Sequence, residues 1–126
     1  MALLDKILEA YLGSKSYPEL VGKLVELGIK SYSVEVVTGS TLYRYGEGET
    51  IWHPGHAYRS IKTEFDADQT QKAVRDTQAG KTDYPAFMDA IAAAGVRFYE
   101  ATLEGPDKRV SYMGLGGSYS EPIPQV

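Results

Sequence analysis

The sequence predicts an α+β fold, with an antiparallel sheet of about six strands and helices packed on one face. Three observations support this prediction: an internal repeat, matching helix caps in both copies, and a change from helical to alternating periodicity after each capped helix. We expect a single domain over residues 1-126, made of pseudo-repeat units at about 1-53 and 68-121 with a connector at 54-67.

The repeat appears as one constant offset of 67 residues between two parts of the chain. The segment Gly13 to Leu20 aligns with Gly80 to Phe87, and both contain a Tyr-Pro pair. The same offset pairs several aromatic residues: Tyr32 with Tyr99, Tyr45 with Tyr112, and Trp52 with Tyr119. An offset that carries glycines, apolar positions and aromatics together indicates duplication of one supersecondary unit.

Each unit contains a helix with a recognisable start and end. Ser16-Tyr17-Pro18-Glu19 is a capping box, and Asp83-Tyr84-Pro85 repeats the cap with a carboxylate. Apolar residues then recur at steps of three and four until Gly28 and Gly95, since glycine favours the left-handed conformation that ends a helix. A further helix is predicted before each of these, between Leu3 and Leu12 and between Asp68 and Gly80.

After each of these glycines the apolar period changes to two, which is typical of a strand with one face in water. The predicted strands are Tyr32 to Val36, Thr41 to Tyr45, a strand around Ile51 and Trp52, Val96 to Leu103, Arg109 to Tyr112, and Ser118 to Ser120. The stretch His53 to Phe65 has no duplicate partner and is either a connecting loop or an extra edge strand. The ending Glu121-Pro122-Ile123-Pro124 is expected to lie across a sheet edge, because proline cannot donate to a central ladder.

Composition argues against several function classes. The formal net charge is -4 and the basic residues are scattered, so neither nucleic acid nor an anionic membrane is an expected partner. The chain has no cysteine, which excludes disulfides, a thiolate nucleophile and a Cys-based zinc site. Asp5, Lys6 and Glu9 interrupt the N-terminal apolar stretch, so it does not resemble a signal peptide or a membrane span, and a cytoplasmic location is expected.

The second half of the chain also carries a long composite pattern. The run Gln78 to Phe87, continued by Ile91 to Val96 and the ending Glu121 to Pro124, resembles the YdfO-like family of small bacterial and prophage-encoded proteins. Further matching positions are Tyr45, Gly48, Glu49, Tyr99 and Tyr112. The resemblance implies an α+β fold and a bacterial or prophage context, and the family is sometimes labelled a phage envelope protein. It implies no activity and no catalytic residues, because the family has none assigned.

Two groups of residues are candidates for chemistry. His53-Pro54-Gly55-His56 together with Glu64 has the side chains of a metal site or a small hydrolase or lyase, but Pro-Gly makes this segment a turn rather than a ligand-bearing helix. Asp83 beside Tyr84 has the groups of an acid/base pair, although both residues are already explained by the helix cap and the repeat. We therefore expect no metal, no cofactor and no catalytic residues.

Aromatic residues are the remaining signal, with ten tyrosines and one tryptophan. The candidate ligand-binding residues are Tyr43, Tyr45, Trp52, His53, His56, Tyr58 and Tyr112. Some of these aromatics would pack against the helices, and others would form a rigid surface on the open face of the sheet. The leading hypothesis is a non-enzymatic binding module for a small nucleotide-like or sugar-like ligand or for a protein partner, with a homodimer as one arrangement. The alternatives are the His/Glu hydrolase or lyase and a structural or accessory phage protein.

Overall fold

The structure is a computed structural model that describes residues 2–124 and contains, within them, four helices and one six-stranded sheet. In chain order the elements are α1 (Leu3–Gly13), α2 (Tyr17–Glu26), β1 (Ile29–Glu35), β2 (Ser40–Tyr45), β3 (Glu49–His53), α3 (Ala67–Gln78), α4 (Tyr84–Ala93), β4 (Val96–Thr102), β5 (Arg109–Gly114) and β6 (Gly117–Pro122). The predicted α+β class with about six strands is therefore confirmed.

The sheet is antiparallel throughout and has the order β3-β2-β1-β4-β5-β6. Each half of the chain contributes three consecutive strands, and the halves meet where Ser33 of β1 pairs with Glu100 of β4. The helices cover one face, and the core between them and the sheet includes the fully buried Leu24, Met88 and Ile91. The two units are thus arranged about the central pair of strands.

The helix ends are built in the same way in both halves. The Ser16 hydroxyl accepts a hydrogen bond from the Glu19 amide at 3.2 Å, and the Asp83 carboxylate accepts one from the Ala86 amide at 2.9 Å. The backbone φ angle is 90° at Gly28 and 87° at Gly95, a region that glycine adopts without steric cost. The first strand of each half then carries a register shift at its start. These equivalences support the internal duplication.

The constant offset of the repeat is wrong beyond the first strand of each unit. Tyr32 pairs with Tyr43 and Tyr99 pairs with Tyr112, so Tyr112 corresponds to Tyr43 and not to Tyr45. The physical reason is loop length, because six residues connect β4 to β5 where four connect β1 to β2.

The last strands shift in the same manner. Tyr43 pairs with Ile51 and Tyr112 pairs with Tyr119, so Tyr119 corresponds to Ile51 rather than to Trp52. The connection from β5 to β6 is one residue shorter than that from β2 to β3, which moves the register back by one. Because side chains alternate along a strand, this single residue decides which face an aromatic residue occupies.

The stretch from Pro54 to Asp66 is a loop and contributes no strand, which resolves the alternative that the sequence left open. Its backbone follows the end of the sheet, where the Arg59 amide donates to the Val37 carbonyl at 2.9 Å. Asp66 then caps α3. At the other edge, Glu121 and Pro122 extend the edge strand β6 itself, so this part of the proline-rich ending continues the strand and does not cross the sheet edge as predicted. Proline is tolerated there because the strand has a neighbour on one side only.

Candidate functional site

A cavity of about 780 Å³ lies between the helices and the sheet, with both halves of the chain in its walls. Its floor is formed by Tyr32, Tyr99 and Tyr112 from β1, β4 and β5. One wall comes from the end of α1 and the start of α2, and the opposite wall from the end of α3 and the start of α4. The volume is in the range of about 300–1,000 Å³ that is typical of small-molecule sites.

The floor tyrosines point toward the helices because of strand register. Tyr99 and Tyr112 are direct cross-strand partners with ring centroids 5.4 Å apart, and Tyr32 occupies the same face of the neighbouring strand β1. The three side chains are 2%, 6% and 5% exposed for Tyr32, Tyr99 and Tyr112, respectively. The sheet therefore places three closely packed tyrosines beneath the cavity, with little of their surface exposed.

The helix starts add two more tyrosines with a repeated contact. The hydroxyl groups of Tyr17 and Tyr32 are hydrogen-bonded, and those of Tyr84 and Tyr99 lie 3.3 Å apart. Each pair joins the first residue of a capped helix to the first strand of its own unit. The sequence repeat thus places two equivalent phenol pairs at the cavity.

The two halves differ in a third contact. The Tyr43 hydroxyl donates to the Tyr11 hydroxyl at 3.1 Å. Gln78 takes the place of Tyr11 in the second half, and its side chain donates to Glu121 at 3.2 Å instead. Among residues 2–124, the Tyr112 hydroxyl has no hydrogen-bond partner, although Tyr112 lines the cavity. The cavity is therefore asymmetric in its polar groups.

Glu121 lies at the edge of the cavity and is held by several donors. Arg75 forms an ion pair with it at 3.0 Å, and the Tyr119 hydroxyl and the Gln78 amide also donate to its carboxylate. Its side chain is only 11% exposed. The negative charge is therefore compensated within the protein by Arg75, so Glu121 adds little net charge to the cavity.

The model for the family described as a protein of unknown function, DUF1398, matches residues 5–119. The chain belongs to the DUF1398 family. No curated protein matches the sequence. The matched region covers most of both repeat units and contains all five tyrosines that form the phenol pairs and the floor of the cavity.

Burial sets the protonation of the phenols in this DUF1398 chain. Burial raises the pKa of Tyr17 to about 12, with a smaller opposing effect of its hydrogen bond to Tyr32. Burial is also the main cause that raises the pKa of Tyr32, Tyr99 and Tyr112, and neighbouring ionisable groups add to it. These side chains are uncharged near neutral pH and act there as hydrogen-bonding groups on an apolar surface.

The structure does not bring the seven sequence-predicted residues together. Tyr112 lines the cavity, whereas Tyr43 is buried on the same sheet face and bonded to Tyr11. The other five are placed as follows: Tyr45 and His53 are partly buried, Trp52 is 55% exposed, Tyr58 is 92% exposed and His56 is exposed. Sequence reasoning missed the cavity residues Tyr11, Tyr17, Tyr32, Tyr84 and Tyr99, although the repeat had marked two matching Tyr pairs among them.

The open face of the sheet is not the aromatic surface that the sequence predicted. Its large exposed aromatics are Trp52 and Phe98, at 55% and 46% exposure, and they lie on strands β3 and β4. Between them the face is polar, where Glu100 accepts a hydrogen bond from Ser33 and lies 3.6 Å from Arg44. The tyrosines face the helices instead, because the strand register directs them there.

The histidine hypothesis gains no geometric support. None of His53, His56 and Glu64 lines the cavity, and His56 and Glu64 are exposed. Across the described part of the chain, no three side chains of the metal-binding types are grouped as a metal site. Among the same residues, no helix has the length and apolar character needed to cross a membrane.

Proposed function

We propose that this DUF1398 chain is a non-enzymatic binding protein that holds a small organic molecule in the tyrosine-lined cavity. The observation that carries the proposal is the cavity of about 780 Å³ between the two units, walled by aromatic faces with hydroxyl groups among them. Aromatic faces supply stacking area, and a few placed hydroxyls supply orientation, which is the usual composition of a small-molecule site. A nucleotide-like base or a sugar-like ring fits this chemistry.

Binding is a better proposal than catalysis because the cavity has no obvious proton acceptor. Its tyrosines have raised pKa values, which makes them poor bases near neutral pH. The carboxylate of Glu121 is engaged by Arg75, and that of Asp83 accepts the amide of Ala86 as a helix cap. A general acid/base mechanism would need one of these groups to leave its present partner.

A protein partner on the open face is a second candidate, which the exposure of Trp52 and Phe98 favours. The residue pattern from Gln78 to Phe87 and the Pro-Ile-Pro ending support a proposed YdfO-like membership with a bacterial or prophage origin. A proposed cytoplasmic location rests instead on Asp5, Lys6 and Glu9, which interrupt the N-terminal apolar stretch. We do not propose a nucleic-acid partner, because the net charge of -4 disfavours contact with phosphates.

Filling the cavity tests the proposal. Thr77 lies on the cavity wall in α3, so Thr77→Trp would occupy part of the space. Gln69 lies on the same helix but is exposed and outside the cavity, so Gln69→Trp is the matched control. Wild-type protein and both variants would be purified from the host and compared by native mass spectrometry, with circular dichroism to check that each is folded.

The proposal predicts a small molecule bound to the wild type and to Gln69→Trp and absent from folded Thr77→Trp. The same mass bound to all three proteins would place the site elsewhere. A wild-type protein that carries no ligand, and that gains none from a host metabolite extract, would contradict the proposal.

A further inference from the structure

We infer that the ligand is an uncharged planar ring compound and that the hydroxyl of Tyr112 donates a hydrogen bond to a carbonyl on it. The inference rests on the proposed function and deepens it, because it specifies the class of molecule and the group that recognises it. The structural feature behind it is the difference between the two halves of the molecule at Tyr43 and Tyr112.

These two tyrosines hold matching positions, since Tyr43 pairs with Tyr32 and Tyr112 pairs with Tyr99. In the first half the helix side chain above the sheet is Tyr11, and the Tyr43 hydroxyl donates to it at 3.1 Å. In the second half the matching residue is Gln78, whose side-chain amide donates a hydrogen bond to the Glu121 carboxylate at 3.2 Å. Among the described residues, the Tyr112 hydroxyl therefore lacks the hydrogen-bond partner that its counterpart Tyr43 has in the first half.

The Tyr112 hydroxyl is accessible from the cavity, although the residue as a whole is only 5% exposed. Among the described residues no protein group is hydrogen-bonded to it. A ligand carbonyl that takes the place of cavity water at this hydroxyl gains one oriented hydrogen bond from the protein. The other phenols at the cavity are already paired, Tyr17 with Tyr32 and Tyr84 with Tyr99.

The absence of net charge in the ligand follows from the charged groups around the cavity. Glu121 is compensated by Arg75, and Asp83 is the cap of α4. Lys15 lines the cavity from an exposed position in the loop after α1. The phenols at the floor carry no charge near neutral pH, and an ion moved from water to this aromatic surface would lack a buried counter-charge.

A planar shape follows from the arrangement of the rings. Tyr99, Tyr112 and Phe87 pack against one another at the floor and are 6%, 5% and 7% exposed, respectively. The lining rings with more accessible surface are Tyr84, which is 51% exposed, and the partly buried Tyr11 and Tyr17. Accessible ring faces at the walls favour a flat guest, which gains from stacked and edge-to-face contacts with them. A carbonyl on its rim would then meet the Tyr112 hydroxyl.

Three probes of one shape test both parts of the inference: benzamide, which is neutral, benzoate, which is anionic, and benzamidinium, which is cationic. Each would be titrated into wild-type protein, Tyr112→Phe and Tyr43→Phe while the tyrosine ring resonances are followed by NMR. We expect benzamide to bind wild type most tightly and to lose about tenfold in affinity with Tyr112→Phe. Tyr43→Phe should change its affinity less than twofold, because the Tyr43 hydroxyl is already bonded to Tyr11.

Stability without ligand gives an independent reading of the same asymmetry. Tyr112→Phe removes a hydroxyl that has no partner among the described residues, so its free energy of unfolding should equal or exceed that of wild type. Tyr43→Phe removes a made hydrogen bond and should be less stable.

The outcomes separate the inference from the proposed function. Tighter binding of benzoate or benzamidinium, or equal benzamide affinity in wild type and Tyr112→Phe, would overturn the inference and leave the cavity as a binding site. No shift of cavity tyrosine resonances with any of the three probes would likewise overturn the inference, and the proposed function would fail with it only if the protein also gained no ligand from a host metabolite extract.

Discussion

The hydroxyl of Tyr84 lies 3.3 Å from that of Tyr99, and 67 residues earlier Tyr17 and Tyr32 form the same pair. Each pair ties the start of a helix to the first strand of its own unit. The surroundings differ, because Tyr84 is 51% exposed while Tyr17 is mostly buried. This relationship gives the first prediction.

Tyr17→Phe should destabilise the protein more than Tyr84→Phe. Removing the Tyr17 hydroxyl leaves the hydroxyl of the buried Tyr32 unpaired, at a cost of about 1–2 kcal/mol, whereas the Tyr84–Tyr99 contact is long at 3.3 Å and its loss removes a weaker hydrogen bond. Urea unfolding of the two variants and wild type measures both changes. A larger loss of unfolding free energy in Tyr84→Phe than in Tyr17→Phe would contradict this prediction.

Gly28 and Gly95 form a second matched pair, and alanine should be tolerated differently at the two positions. Both have a positive φ angle, which costs a residue with a Cβ about 1–2 kcal/mol. At Gly28 the added methyl group meets nothing within 4 Å, but at Gly95 it would lie 2.3 Å from the carbonyl oxygen of Glu64.

We therefore expect Gly28→Ala to lose only the conformational cost and Gly95→Ala to lose clearly more, because the connector must shift away from α4. Denaturant midpoints and hydrogen exchange in the connector provide the measurement. Equal losses at both sites would mean that the connector does not pack against Gly95.

High pH should unfold the protein because its buried tyrosines lose their protons more readily in the unfolded chain. Burial raises the pKa of Tyr17 to about 12 and that of Tyr32 and Tyr99 well above the usual value. In the unfolded chain tyrosine ionises near pH ~10, so above this pH the folded state holds more protons than the unfolded state. The free energy of unfolding is then undiminished below pH ~10 and falls as the pH rises through the folded pKa values.

The measurement is a pH titration in which phenolate absorbance and far-UV circular dichroism are recorded on the same samples. The buried tyrosines should ionise in a late phase that coincides with loss of secondary structure. Complete ionisation of all tyrosines with the circular dichroism unchanged would contradict the buried placement.

The open face of the sheet should be dispensable for small-molecule binding. Trp52 is 55% exposed and does not line the cavity. Trp52→Ala should therefore remain folded and should bind a cavity ligand with an affinity within about twofold of wild type. Ligand titrations on the variant and the wild type give the comparison. Loss of small-molecule binding in Trp52→Ala would move the site to the open face.

Local signals made the framework of this fold predictable. The caps at Ser16 and Asp83 and the helix ends at Gly28 and Gly95 follow from backbone requirements that few residue types meet. The repeat then predicted the same order of helices and strands in both halves, because a duplicated unit folds in the same way and buries its apolar face in a shared core.

The cavity was not predictable from the same signals. The loop between β4 and β5 is two residues longer than that between β1 and β2, so Tyr112 is structurally equivalent to Tyr43. The constant sequence offset had matched Tyr112 with Tyr45. This two-residue shift keeps Tyr112 on the face that points to the helices but moves it along the strand, whereas the one-residue shift at β6 changes the face that Tyr119 occupies relative to Trp52. The space above Tyr32, Tyr99 and Tyr112 also depends on how the two helix pairs are set apart, which no short motif encodes.

The central claim is that small molecules bind between the two halves of the chain, and nuclear Overhauser contacts between a bound ring compound and the protein test it most directly. With benzamide as the probe, we predict contacts to the ring protons of Tyr32, Tyr99 and Tyr112 and none to Trp52 or Phe98. Contacts confined to Trp52 and Phe98 would contradict the claim.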